Sequence, residues 1–224
     1  MLQSETGLDE FAQVAAIRLE SDHTQKLLME IVEIADAEQK SSAVADTIKT
    51  LPEWFGIPAS NERYIKEVVS KDAFAAYHAT RRASALIPAS NEDHIIEATA
   101  KDDLAANQPV GLIALRYHFQ TTAEIWWMGV KPEFHRRGIG ALLFDAAGSR
   151  AREKGCRTLA VLTLSPRNPY ESYARTRAFY ERQGFRLLIE ENECDPQNPL
   201  AWMTREVRKA VQEQRGSNQG RISD

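Results

Sequence analysis

Cysteine is almost absent: Cys156 and Cys194 are the only two in 224 residues, far apart and outside any CxxC or CxxH spacing. That excludes a disulfide framework and offers no metal-site pattern, so both read as thiols of a reduced protein. No stretch approaches the roughly 20 apolar residues that a membrane-spanning helix needs, so no membrane partner is expected. The opening MLQSETGLDE holds neither a basic stretch nor an apolar core, which predicts no secretory signal and a cytoplasmic location. A basic excess is missing too. The net charge of -4 argues against nucleic acid as partner, because phosphate binding leaves a basic footprint. What remains, with 43% apolar and 27% charged residues, is the composition of an ordinary globular chain.

The length lies between one domain and two, so one domain with an insertion or a terminal extension is expected. VAAIRL (14–19) reads as a strand, and Leu27, Leu28, Ile31, Ile34 and Ala35 keep helical spacing after it. LPEWFGIP breaks regular structure, with Trp54 and Phe55 closing over something apolar and Ser60 placed to cap a helix beginning at NERYIKEVV.

Residues 57–77 then recur as 87–107, with twelve of 21 positions identical. A solenoid needs about three such units, so two copies predict a local duplication inside a domain. Ser90 repeats the cap of Ser60 and Asp93 adds an early acidic residue, so each copy predicts a capped helix running into a short apolar segment. The second copy leads into VGLIALRY, which reads as a hairpin.

From Glu124 the pattern is strand EIWWMGV, loop KPEFHRRGIG, a helix to Lys154, a stop at Gly155, and strand TLAVLTL. This is a βαβ unit with a parallel pair. Ile139, Leu142, Leu143, Ala146 and Ala147 give its helix an apolar stripe, while Trp126 and Trp127, alternating across the strand, should face opposite sides. The loop SPRNPYES precedes a helix YARTRAFYERQ ended by Gly184, and FRLLIE and LAWMT can supply two last strands. The segment beyond about Val207 is polar.

HRRGIGALL, placed between strand and helix, suits anion binding. Gly138 and Gly140 let the backbone approach a ligand, the first helical turn around Ile139 and Ala141 leaves N–H groups without internal partners, and Arg136 and Arg137 add charged donors. The same residues also suit a plain glycine turn with two solvated arginines. A dinucleotide fingerprint or a P-loop would need G-x-G-x-x-G or G-K-[ST], and neither is present.

VKPEFHRRGIGALL resembles the coenzyme A pyrophosphate loop of the GCN5-related N-acetyltransferases, V-x-P-x-x-[QR]-x-x-G-x-[GA], with Val130, Pro132, Gly138 and Gly140 on the pattern and His135 where that family has Gln or Arg. RAFYERQGF is similar to the family's C-terminal helix signature, in which the tyrosine matched by Tyr180 protonates the departing thiolate. Tyr173 stands where the family has an Asn that touches the pantetheine arm. Glu124 stands where related enzymes place a carboxylate that takes the amine's proton, and a strand-end glutamate would look the same.

The resemblance implies an α/β acyl-CoA N-acyltransferase fold: a mixed twisted sheet of about six or seven strands flanked by helices, in a domain of residues 1–207 that includes the duplication, with 208–224 as a tail. It implies acetyl-CoA as co-substrate with no metal, direct transfer to a small-molecule or peptide amine, and an oxyanion held by backbone N–H groups of Met128, Gly129 and Val130. The alternative is a non-catalytic domain that binds acyl-CoA and regulates a partner. A homodimer is left open.

Overall fold

The computed structural model describes residues 15–18, 28–78, 108–191 and 198–207. Eight strands occur among them: β1 (Ala15–Arg18), β2 (Leu28–Ile34), β3 (Asp72–His78), β4 (Gly111–His118), β5 (Thr122–Val130), β6 (Thr158–Leu164), β7 (Arg186–Glu191) and β8 (Leu200–Glu206). They form one mixed sheet in the order β1-β2-β3-β4-β5-β6-β8-β7. Only β5 and β6 run parallel. Among the described residues four α-helices flank the sheet: α1 (Ala37–Lys49), α2 (Pro58–Glu67), α3 (Ile139–Glu153) and α4 (Glu171–Arg182).

The two faces bury separate clusters. On one, Ile139, Leu142, Leu143, Phe144 and Ala147 of α3 pack on Ile113, Leu115, Ile125 and Val161, with Tyr180 and Phe185 beside them. On the other, Ala43, Val44 and Ile48 of α1 pack on Ile34, Ala75, Leu112, Ala114 and Trp127. Gly155 and Gly184, both at left-handed φ (76° and 84°), end the turns after α3 and α4, as the sequence predicts. The βαβ unit is also as expected, with TLAVLTL occupying β6 residue for residue.

Three expectations are corrected. Leu28–Ile34 is a strand and not a helix. Leu28, Ile31 and Ile34 fit a period of three, but Met29, Ile31 and Ile34 are buried while Glu30 and Glu33 are not, and the β-branched Ile31, Val32 and Ile34 favour extended backbone. This strand supplies one more than the six or seven expected. Ser60 does not cap α2: the helix starts at Pro58, whose fixed φ suits the first helical position, and Ile57 is its N-cap without a side-chain bond. Trp126 and Trp127 do not alternate. β4 pairs Ala114 with Trp127 and Leu115 with Ile125, so Trp126 is the extra residue of a β-bulge and both indoles belong to the α1–α2 face.

The first copy of the duplication forms α2, a 3-10 turn at Val68–Ser70 and β3, so a helix does run into an apolar strand. The second copy with Ser90 and Asp93, Leu27, Cys194 and the segment 208–224 lie outside the described residues. Among the described residues no helix is long and apolar enough to cross a membrane.

Candidate active site

The bulge at Trp126 coincides with a parting of strands. β5 and β6 pair only from Thr122/Thr158 to Ile125/Val161, although β5 continues to Val130 and β6 to Leu164. Past Ile125 the two strands therefore flank a slit. The Lys131 N–H binds the Val110 carbonyl on the β4 side (2.8 Å), so strand alternation turns the N–H groups of Val130 and Met128 toward the slit and that of Gly129 back toward β4. Gly129 is needed for a different reason: a Cβ there would lie 2.8 Å from the Trp127 ring and 2.9 Å from Thr47 of α1.

The chain leaves β5 through a 3-10 turn at Pro132–Phe134 and enters α3 through two left-handed residues, Arg136 (φ 59°) and Gly138 (φ 80°). Gly138 is the helix N-cap, and its carbonyl accepts from Ala141 and Leu142. The N–H groups of Ile139 and Gly140 precede any intrahelical acceptor and form, with the turn before them, a concave set of donors at the positive end of the helix dipole. The Arg136 and Arg137 side chains are exposed, the latter 5.6 Å from the Phe134 ring. His135 Nε2 donates to the Val130 carbonyl (2.7 Å), which fixes its ring against Trp54. Gly140 has an ordinary φ, but a Cβ there would lie 2.9 Å from the Phe179 ring and 3.3 Å from Met128 Cε.

α4 closes the slit from the α3 side. Arg177 ties it to β6 through the Leu164 carbonyl (2.9 Å). Tyr180 is buried among Phe144, Phe179 and Phe185, and its hydroxyl has no hydrogen-bond partner among the described residues. Burial, and next Tyr173, push its pKa well above the usual phenol value, so the ring keeps its proton. Tyr173 donates to the Trp54 carbonyl (2.9 Å), and the Trp54 indole donates to Thr176 Oγ1 (3.0 Å). The α1–α2 loop is thereby strapped to α4, and the expected apolar closure is present: Phe55 stacks on Trp127 at 5.5 Å.

Glu124 precedes the bulge and points to the face opposite Tyr180, since its neighbour Ile125 lies in the α3 cluster. The residue is 3% exposed. Its carboxylate accepts a fork from Arg116 (Nε to Oε2 2.9 Å, Nη2 to Oε1 3.0 Å) and meets His118 Nε2 at 2.5 Å. Next to it, Trp126 packs edge-on to Tyr64 of α2 (5.5 Å) under the Lys71 ammonium (5.0 Å).

Sequence reasoning missed three side chains here. Arg116 and His118 alternate on β4 opposite Glu124, a pattern visible once the hairpin register is known. Thr163 is 6% exposed on β6, two residues past the last β5 pair, and its Oγ1 has no partner among the described residues. No signal in TLAVLTL sets this threonine apart from a strand former. Among the described residues no group of three His, Cys, Asp or Glu side chains could hold a metal.

Comparison with known proteins bears on the fold. Residues 92–187, which contain β4, β5, α3, β6 and α4, match the family model described as an acetyltransferase (GNAT) domain. No curated protein sequence matches the chain. Among solved structures, a GNAT-family protein of Desulfovibrio desulfuricans superposes with a TM-score of 0.58 at 17% identity, over 80% of this chain and 99% of that one. An aminoglycoside 6'-N-acetyltransferase complexed with coenzyme A gives 0.52 at 17%, over 81% and 99%. The ribosomal-protein-S18-alanine N-acetyltransferase of Escherichia coli gives 0.52 at 14%, over 83% and 97%. The chain has the fold of the GNAT acetyltransferases.

Proposed function

We propose that this protein transfers an acetyl group from acetyl-CoA to a primary amine by direct attack in a ternary complex. The observation that supports the reading is the slit itself: a helix start with N–H groups lacking intrahelical acceptors at its mouth, a protonated phenol on one face and, on the other, the buried Glu124 carboxylate held by Arg116 and His118. The residues fit an acyl-CoA. The N–H groups of Ile139 and Gly140 with Arg136 and Arg137 suit the pyrophosphate. The N–H groups of Met128 and Val130 and the hydroxyl of Thr163 suit the amide-bearing arm and the thioester, which supplies the activated acyl group.

In the transfer, the amine nitrogen bonds to the thioester carbonyl carbon while Met128 and Val130 N–H groups hold the negative charge that grows on its oxygen. Tyr180 gives its proton to sulfur as the C–S bond breaks, and solvent later restores it. The proton lost by the amine leaves through the Glu124–His118 pair, with Arg116 holding the carboxylate in place. Because the phenol and the carboxylate lie on opposite faces, donor and acceptor approach from opposite sides of the sheet. The acceptor side is then the α1–α2 face, where the first copy of the duplication contributes Tyr64.

Two of the solved relatives are named for aminoglycosides and for a ribosomal-protein alanine, so small amines and peptide N-termini both belong in the test. The experiment is a panel of such amines incubated with acetyl-CoA, read by release of free thiol. Turnover with any of them supports the enzyme. Coenzyme A binding without turnover across the panel would favour the acyl-CoA-binding regulator.

A further inference from the structure

Trp126 and Leu162 are the first residues past the last β5–β6 pair, Ile125 with Val161, so one stands on each side of the slit where it opens. Both face the α1–α2 side of the sheet. Trp126 packs against the cluster of that face, and Leu162 alternates with Val161, which lies in the α3 cluster. The same surface continues outward from the slit. Trp202 on β8 lies opposite Leu162 and alternates with Met203, another member of the α3 cluster. Leu162 is 37% exposed and both indoles are half-buried, so large apolar side chains line the mouth and the sheet surface beside it. Two strand spacings separate β5 from β8, which makes the strip about 10 Å wide.

The charges at the mouth are unevenly placed. Glu124 lies two residues before Trp126 on the same face, roughly 6–7 Å along the strand, and supplies the anion for an approaching amine. The charges that touch the aromatic wall are cations: the Lys71 ammonium lies 5.0 Å from the Trp126 ring, and the Arg63 guanidinium 5.6 Å from the ring of Tyr64, which packs on Trp126. An amine that reaches Glu124 therefore lays its body on indole and leucine. A second ammonium on that body would lose water over apolar side chains and meet Lys71, which already lies over the Trp126 ring.

Resting on the acetyl-transfer reading above, we propose that the acceptor is a primary amine carrying a single positive charge on a hydrocarbon body. Its ammonium sits at the Glu124–His118 pair, and its body crosses the mouth of the slit on Trp126, Leu162 and Trp202. Polycationic amines are poor acceptors by the same geometry.

The test is a matched series of amines with the full chain and saturating acetyl-CoA, read by thiol release. A fully buried CH2 group is worth about fourfold, so on this half-open strip kcat/KM should rise about twofold per CH2 from propylamine to octylamine. 1,8-Diaminooctane, the same chain with a second ammonium, should be at least about tenfold poorer than octylamine, and Lys71→Glu should narrow that gap. Leu162→Thr, at a part-exposed strand position, should raise the KM for octylamine by about fivefold while the coenzyme A Kd and the melting temperature stay at wild-type values. Calorimetric binding of octylamine to the chain saturated with coenzyme A reads the strip without turnover. Binding that weakens in Leu162→Thr, with no thiol release from any amine, supports the apolar amine site and overturns the transfer reading instead. Turnover that is flat along the alkyl series, or higher with 1,8-diaminooctane or an alanyl peptide than with octylamine, overturns the proposal while the enzyme stands. Neither turnover nor octylamine binding overturns both.

Discussion

Thr163→Val exchanges one hydroxyl for a methyl group of nearly the same size, in a strand where both residues are at home. Among the described residues the Thr163 hydroxyl, buried beside the slit, has no partner. An unpaired buried hydroxyl costs about 1–3 kcal/mol, so the valine variant should be more stable without ligand, by ~1 kcal/mol at the low end of that range. For a chain of this size that raises the melting temperature by roughly 2–4 °C. If the hydroxyl meets a polar group of the acyl-CoA arm, the variant loses one neutral hydrogen bond, worth about 0.5–1.5 kcal/mol. That converts to coenzyme A binding about 2–12-fold weaker. Stability and affinity should therefore move in opposite directions, and Thr163→Ser should bind like wild type. Thermal melts of the unliganded proteins and calorimetric titrations with coenzyme A read the two effects separately. A valine variant that melts lower would show that the hydroxyl serves the fold, and unchanged affinity would remove Thr163 from the ligand's path.

Other expectations follow from the same geometry. Tyr180→Phe should bind acetyl-CoA normally while kcat falls by roughly 10²-fold or more, read in the thiol-release assay. Glu124→Gln keeps the shape but gives Arg116 a neutral partner at a buried site, so a loss of ~1–3 kcal/mol in denaturant melts should accompany the loss of turnover. Gly140→Ala should lower the melting temperature even without ligand, because its Cβ meets the Phe179 ring, and Phe179→Leu in the same chain should recover part of the loss. Tyr117, Tyr173 and Tyr180 all have pKa values raised chiefly by burial, so the folded state holds their protons more tightly than the unfolded chain does. Stability from this source is intact below pH ~10 and falls as pH rises past it, and Tyr117→Phe, which removes the phenol bonded to Asp72, should soften that alkaline loss.

The legible parts of the chain were those where one local rule acted alone. Gly155 and Gly184 stop helices because a left-handed residue is needed, and TLAVLTL is a strand because nothing in it favours any other state. The turn before α3 is local as well, a left-handed glycine before one amphipathic helix. Leu28–Ile34 was misread because its apolar residues satisfy two periods at once, and only pairing with β1 and β3 decides between them. The bulge at Trp126 is a property of register against β4, which no single strand encodes, yet it turns one indole and opens the slit. Thr163 illustrates the same limit: its hydroxyl matters because of what does not pair with it, and an unpaired group has no signature in sequence.

The central claim is that the helix start at Gly138–Ala141 and the slit beside it receive an acyl-CoA. Calorimetric titration of the wild-type chain with coenzyme A tests it most directly, set beside Gly138→Asp, which adds a negative charge and a disfavoured φ at the turn where pyrophosphate should sit. The account predicts one saturable site per chain in wild type and binding weakened by at least tenfold in the variant, with both proteins folded. A wild-type chain that gives no binding heat and no melting shift with coenzyme A at about 1 mM, a concentration that would stabilise any site tighter than itself, would contradict it.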